Sequence, residues 1–393
     1  MKNFKVYLII ILVCVIFTLY IFEGYVRIIS LNKISDIKDN TSLKEKIYKE
    51  KTGKQYDART NLQVIEYYKK KGKNVILSFL PHNLRGSTDL DLFPLSGPSN
   101  SKIIYCNENG YYSIIDSDRY GFNNPDEEWN KSEIEYLLVG DSFTFGDCVN
   151  RPDDISSVLR NLSNKAVLNL GYEGNGPLME YAALREYFPE RNKVKNILWL
   201  YYEGNDNYEL TLELKNEILK RYFDDINYSQ DLKKKQKYVD LITKISIEEV
   251  REKIKQSNNQ TKSNKEEKIS SKIIKFLKLK KTRSGLRENP KPRSQFNEIL
   301  KFTLQFANQK NSNFYFVYLP EYGRYKLNNY KQRNYKKVKK ILKKLNIPLI
   351  DIHKEVFENE ENPLKLFPFE LSGHYNVEGY QKVAEAIYRL TQN

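Results

Sequence analysis

The chain reads as an α/β protein with a parallel sheet covered by helices on both faces, and three observations point there. First, the apolar runs EIEYLLVG (133–140), KAVLNLG (165–171) and NILWLYY (196–202) are continuous rather than alternating, as in strands buried on both faces. Second, the runs alternate with segments of helical period, ISSVLRNLS (155–163) and PLMEYAALREYF (177–188). Third, the order resumes near the C-terminus. The helix QFNEILKFTLQFANQ, the strand NFYFVYLP, the helix NYKKVKKILKKL, the strand PLIDI and a last helix from Val377 to about Leu390 follow one another.

Before this core lie two segments of different character. Lys2 and Lys5 precede Val6–Phe22, which carries no charge. About 17 residues at 1.5 Å each is at the short end of what crosses a hydrocarbon core. The run ends in bulky Leu19, Tyr20, Ile21 and Phe22 rather than an A-x-A-like site, so residues 1–30 are expected to be an uncleaved signal-anchor rather than a cleaved signal peptide. The lysines ahead of it place the N-terminus in the cytoplasm and the rest outside, in the periplasm if the cell is Gram-negative. Residues 31–132 are expected to be a polar stalk followed by an N-terminal elaboration. Its short β-prone runs (NVILSFLP, KIIYC, YYSII) are separated by turn formers. Two core parts, 133–212 and 293–393, flank a basic helical insertion at 213–292, expected to be a solvated helical pair with a mobile loop over Gln256–Lys265.

Composition excludes several functions. The 393 residues are 40% hydrophobic, which is enough for an enzyme core. The net charge of +15 is spread over many lysines without any nucleic-acid-binding signature, so nucleic acid is not an expected partner. No glycine-rich phosphate loop and no His/Cys group at ligand spacing is present, so neither cofactor nor metal is implied. Cys14 lies in the apolar span, leaving Cys106 and Cys148, which are expected to pair in an oxidising compartment. Two separate thiols are the open alternative.

Acyl transfer needs a nucleophile, a base touching it and donors aimed at the developing oxyanion. Gly140-Asp141-Ser142 directly follows a buried strand, at the sheet edge where open α/β proteins place their sites. A helix N-cap serine is the structural alternative. The chain has only three histidines, His82, His353 and His374. His353 follows a strand as a structural histidine, and no role is assigned to His82.

Four blocks together resemble the SGNH/GDSL hydrolase superfamily, in that family's order: GDSFTFG (140–146), NLGYEG (169–174), EGND (203–206) and SGHYNVEG (372–379). The resemblance covers roughly 133–212 and 293–393. It implies a flavodoxin-like parallel sheet, the SGNH hydrolase fold, with Ser142 as nucleophile and His374 as base. The oxyanion donors would be the Ser142 and Gly174 N–H groups and the Asn205 amide, with Gly171 needed for the turn and Asp141 and Asp206 supporting the loops. Two departures stand out. Glu203 replaces a usual glycine, which would narrow the cleft or add an acid. The family's acid two or three residues before the histidine is missing, which leaves Glu370 or a backbone carbonyl to orient the ring. Tyr111, Tyr112, Tyr120 and Phe122 either line a sugar cleft or are core and turn aromatics. The expected function is a serine esterase or O-acyltransferase acting on acyl esters of envelope or secreted glycans. The alternatives are a non-catalytic glycan-binding protein and a lipase or lysophospholipase.

Overall fold

The computed structural model describes residues 2–87, 90–190, 193–260, 292–327, 330 and 332–392. Two compact units are present. The first comprises Met1–Lys54 and Val250–Pro290, and its main element is a long helix α1 (Lys2–Thr52). Within α1, Val6–Tyr25 has a mean hydropathy of 2.7 over 20 residues, long and apolar enough by length and composition to cross a membrane.

The second unit, Gln55–Glu249 with Lys291–Asn393, carries the sheet. It opens with α2 (Asn61–Lys70), β1 (Val75–Leu77), β2 (Lys102–Ile104) and β3 (Ile114–Asp116), the three strands forming a small sheet of their own. The core then runs β4 (Glu133–Gly140), α3 (Ser142–Phe145), α4 (Ile155–Ser163), β5 (Val167–Asn169), α5 (Pro177–Tyr187) and β6 (Lys193–Tyr202). Helices α6 (Asp206–Glu213), α7 (Glu217–Asp224), α8 (Gln236–Gln260) and α9 (Ser294–Gln309) follow, then β7 (Asn313–Leu319), α10 (Gly323–Lys326) and α11 (Arg333–Leu345). β8 (Leu349–Asp351), α12 (Ile352–Glu355) and α13 (Val377–Thr391) complete the chain.

The main sheet is parallel throughout, in the order β5-β4-β6-β7-β8. Counted from β4, this is 2-1-3-4-5, the flavodoxin-like doubly wound order. Successive residues of the central strands enter different cores. Leu137 and Val139 join one apolar cluster, Tyr136 and Leu138 the other, and β6 and β7 divide in the same way. That is why these strands read as unbroken apolar runs.

The N-terminal elaboration belongs to one of these cores. Phe93, Leu95, Ile103, Tyr105 and Phe122 are buried with Trp199 and Leu170 in a single cluster. Cys106 and Cys148 are bonded to each other, with Cα atoms 5.0 Å apart, which stitches the elaboration to the loop after α3.

The insertion differs from the solvated pair expected of it. Leu219, Tyr222, Leu232 and Val239 are fully buried. Glu186 of α5 gathers Tyr222 Oη, Ser229 Oγ and the Gln230 and Leu232 N–H groups, so this stretch is built into the fold. Of the loop expected over Gln256–Lys265, residues 256–260 are helical and 261–265 lie outside the described residues. Removing the disulfide by Cys106→Ser frees a loop spanning 42 residues. On the chain-entropy relation this is expected to lower stability by about 4 kcal/mol, read as a fall in denaturant midpoint with a steeper slope, since the denatured chain without the cross-link exposes more surface.

Candidate active site

The parallel order changes direction at β4, since β5 lies on one side of it and β6 on the other, and the crevice at such a switch point is where doubly wound proteins bind ligands. The loops after β4, β5 and β6 hold three of the four motif blocks. Ser142 opens the single turn α3. Asp141 caps this turn by accepting the Phe143 N–H at 2.9 Å, and Gly146 ends it in the left-handed region (φ +88°). Gly171 allows the next loop to press against this turn, since a Cβ there would lie 2.5 Å from Thr144 Cβ and 2.9 Å from Phe145 N.

Ser142 and His374 meet. Nε2 of His374 lies 2.9 Å from Ser142 Oγ, and the ring packs on Phe143. The group on the other nitrogen was not anticipated. Glu108 Oε2 lies 3.2 Å from Nδ1 and also accepts the His374 backbone N–H at 2.6 Å. One carboxylate oxygen thereby clasps the ring and its main chain together. With Nδ1–H directed at Glu108, Nε2 is left as the acceptor facing serine.

Glu370 is not brought to the ring. Pro368–Glu370 forms a tight turn in which Phe369 and Glu370 both have positive φ, and the Glu370 carboxylate faces Asn362 Nδ2 at 3.3 Å. Its carbonyl accepts the Tyr322 hydroxyl at 3.0 Å. Glu108 reaches the ring because position 373 is glycine: a Cβ there would sit 2.6 Å from Glu108 Oε2. A signal for Glu108 did exist in the sequence. Cys106 bonds to Cys148, six residues beyond the serine, and this carries an acid two residues further along to the nucleophile loop. Asn109 Nδ2 adds a hydrogen bond to the Cys148 carbonyl at 2.9 Å.

The site is rich in acids. Burial lowers the His374 pKa, but the hydrogen bond and charge of Glu108, then Asp147 and Asp141, outweigh it and raise the group to about 9. Asp147, 3.8 Å from Nε2, is pushed well above the ordinary carboxylate range by burial and by the charge of Glu173. Burial, then Glu108, lifts Glu173 to about 7 although His374 opposes the shift. Burial likewise raises Asp141 to about 6, against the Phe143 N–H, His374 and the Asn205 amide.

The remaining expected residues lie as follows. Gly174 adopts φ +77° in the loop after β5. Asn205 precedes α6 with its side chain within reach of Asp141. Among the described residues, neither the Ser142 nor the Gly174 N–H goes to a backbone carbonyl. Asp206 closes the β6 turn by accepting the Tyr202 N–H at 2.9 Å.

Glu203 neither narrows the cleft nor supplies an acid. It is buried in an ion pair with Arg324 (Nε to Oε1, 2.9 Å), and the Tyr318 hydroxyl also donates to it. His353 is held by Tyr325 Oη at 2.8 Å and Glu358 at 3.1 Å. Of the aromatics considered for a sugar cleft, Phe122 is fully buried against Tyr172 and Tyr187, Tyr120 packs on Trp129, and Tyr112 donates to the Arg59 carbonyl at 2.6 Å. Cys106, Cys148 and His374 have ligand atoms within 4.8 Å of one another, yet the two sulfurs are joined to each other, and zinc takes thiolates.

The class that fold and site define is a doubly wound α/β protein with a serine–histidine–glutamate constellation at its switch point. The blocks that resemble the SGNH/GDSL superfamily supply the serine, the histidine and the candidate donors, and the acid comes from outside them. No protein-family model matches the sequence, and no curated protein matches it. Solved structures do match. A lipolytic protein of the G-D-S-L family from Desulfitobacterium hafniense is 14% identical, the match covering 66% of this chain and 99% of that chain at a TM-score of 0.36. A member of the same family from Veillonella parvula is 12% identical, over 66% and 99%, with a TM-score of 0.38. An acetyl xylan esterase is 12% identical over 66% and 100%, with a TM-score of 0.35. The strand order described above defines the fold by itself.

Gly373→Ala tests how Glu108 reaches the ring. The added methyl is expected to push the carboxylate off Nδ1 and cut turnover of an aryl acetate by about 100-fold, the scale of an ångström-sized misplacement. The melting temperature should stay close to the parent's.

Proposed function

We propose that this protein is a membrane-anchored serine esterase or O-acyltransferase that acts on acyl esters, acetyl esters foremost, of cell-envelope or secreted glycans. The observation that carries the chemistry is the engaged pair, Ser142 Oγ at 2.9 Å from His374 Nε2, with Glu108 on the far nitrogen. This geometry favours catalysis over a non-catalytic glycan-binding role. The apolar segment Val6–Tyr25 supports attachment to a membrane with the site on the extracytoplasmic side, where envelope glycans lie.

In the proposed reaction His374 Nε2 takes the Ser142 proton as Oγ bonds to the ester carbonyl carbon. The charge on the carbonyl oxygen is met by the Ser142 and Gly174 N–H groups and the Asn205 amide. The tetrahedral species collapses, its C–O bond to the alcohol breaks, and His374 returns the proton to the departing alcohol oxygen. Water, or the hydroxyl of an acceptor sugar, then attacks the acyl-serine while His374 takes its proton. Collapse releases the free acid or the new ester and reprotonates Ser142. Glu108 stabilises the imidazolium in both halves.

A fluorophosphonate probe is expected to label Ser142 in the parent and nothing in Ser142→Ala. Ser142→Ala and His374→Ala should each remove nearly all turnover of an aryl acetate, and the double variant should be no worse than either. Loss of envelope glycan O-acetylation balance on deleting the chain would tie this activity to glycans, whereas unchanged glycans with altered lysophospholipid would point to the lipase alternative.

The pH dependence follows from His374. As general base the ring must be neutral, so activity is lost as the pH falls below the folded-state value of about 9. kcat/KM is expected to rise about tenfold per pH unit up to that point and then level off. Glu108→Gln removes the charge that raises the value, so its profile should level off at lower pH and at a lower plateau. A parent profile already flat from pH 6.5 would contradict this.

A further inference from the structure

We propose that Arg85 and His82, in the turn after β1, are positioning residues that hold the two oxyanion loops of Gly174 and Asn205 in a fixed relation. This rests on the serine reading of the site above.

Gly174 lies in a loop between β5 and α5, with φ +77°. An N–H in such a loop stabilises a developing charge only if its peptide plane is held before the charge appears, because reorganisation during the reaction cancels the gain. Two peptide planes meet at Gly174, and a side chain from the N-terminal elaboration lies beside each. The first plane pairs the donating Gly174 N–H with the Glu173 carbonyl, and the buried His82 ring packs against Gly174 within reach of that carbonyl. The second carries the Gly174 carbonyl, which accepts from Arg85 Nη2. His82 sits so close that a Cβ on Gly174 would overlap its Nδ1. Burial, then the Arg85 charge, holds the His82 pKa below its ordinary value, so the ring is neutral at pH 7 with one N–H to donate.

The other end of Arg85 reaches the second loop. Its Nη1 pairs with Glu209, whose own N–H bonds to the Asn205 carbonyl at 3.0 Å. One planar guanidinium therefore joins the Gly174 loop to the helical turn that begins at Asn205. The pair is well enclosed, with side-chain exposures of 7% for Arg85 and 17% for Glu209. Asn216 Nδ2 fixes the Arg85 main chain at 3.2 Å. Lysine carries the same charge but lacks the flat fork needed to serve two acceptors at once.

The test uses the full-length protein in detergent, with p-nitrophenyl acetate as substrate and phenylboronic acid as a mimic of the tetrahedral species. The variants are Arg85→Lys, His82→Leu and His82→Gln, and the last keeps an N–H donor. Arg85→Lys and His82→Leu are expected to lower kcat by about 10- to 100-fold with KM nearly unchanged. They should weaken phenylboronic acid binding by a similar factor, the mark of an interaction made only in the transition state. His82→Gln should recover most of the His82→Leu loss. Because Arg85→Lys risks misfolding, the His82 pair carries the test if its melting temperature drops. A rise in KM at constant kcat would overturn the proposal, as would lost kcat without lost boronate affinity or a change in melting temperature alone. If the parent neither hydrolyses the acetate nor labels at Ser142, the serine reading fails and the clamp falls with it. If the parent does both and the variants behave like it, only the clamp fails.

Discussion

For a histidine to take a proton from serine, as proposed for His374, its ring must be held by the other nitrogen, and here the group on that nitrogen comes from outside the sheet. Glu108 clasps both Nδ1 and the backbone N–H of His374. That contact requires a glycine at 373, a disulfide two residues before the acid, and an N-terminal layer folded against the sheet to carry it. The elaboration is therefore part of the site rather than an appendage to it. Its aromatic and aliphatic residues share a core with β4 and β6, so the position of the acid depends on that packing.

The same layer supplies the turn bearing His82 and Arg85, which reach the Gly174 loop. The sheet provides the serine turn and the two loops proposed to carry the oxyanion donors, all at strand ends, while the groups proposed to aim them arrive from residues 82–108. Electrostatics follows the same division. Burial pushes Asp147 well above the ordinary carboxylate range, and Glu108 is the carboxylate hydrogen-bonded to the ring nitrogen. A site with several ionised acids around one imidazole would raise its pKa further and leave it a poorer base at neutral pH.

Much of this was legible in the sequence because the relevant physics is local. Continuous apolar runs report burial on both faces, and a Gly-Asp-Ser directly after one reports a turn at a strand end, so strands, helices and the serine turn lie within a few residues of their expected bounds. Contacts between distant segments were not legible. Glu108 meets a histidine 266 residues away, and no local pattern marks it beyond its nearness to Cys106. Glu370 lies near His374 in sequence, but the left-handed turn at Phe369–Glu370 directs it to Asn362 instead. Glu203, expected to narrow the cleft or add an acid, is instead paired with Arg324, 121 residues away in the chain. The charged stretch after Leu212 hid its buried face because Leu219, Tyr222 and Leu232 are spaced among lysines that stay in solvent.

The central claim is that Glu108 holds His374, and the titration of the imidazole tests it most directly. The chain has only three histidines, so ring resonances of ¹⁵N-histidine-labelled protein can be assigned by single substitution. Burial, followed by the Arg85 charge at His82 and the Arg324 charge at His353, lowers both of those rings below the ordinary value, while His374 stands at about 9. The account predicts two rings titrating low and one high, with Glu108→Gln bringing the high one down towards about 6.5, the unperturbed value. A His374 ring that titrates near 6.5 in the parent and does not respond to Glu108→Gln would contradict it.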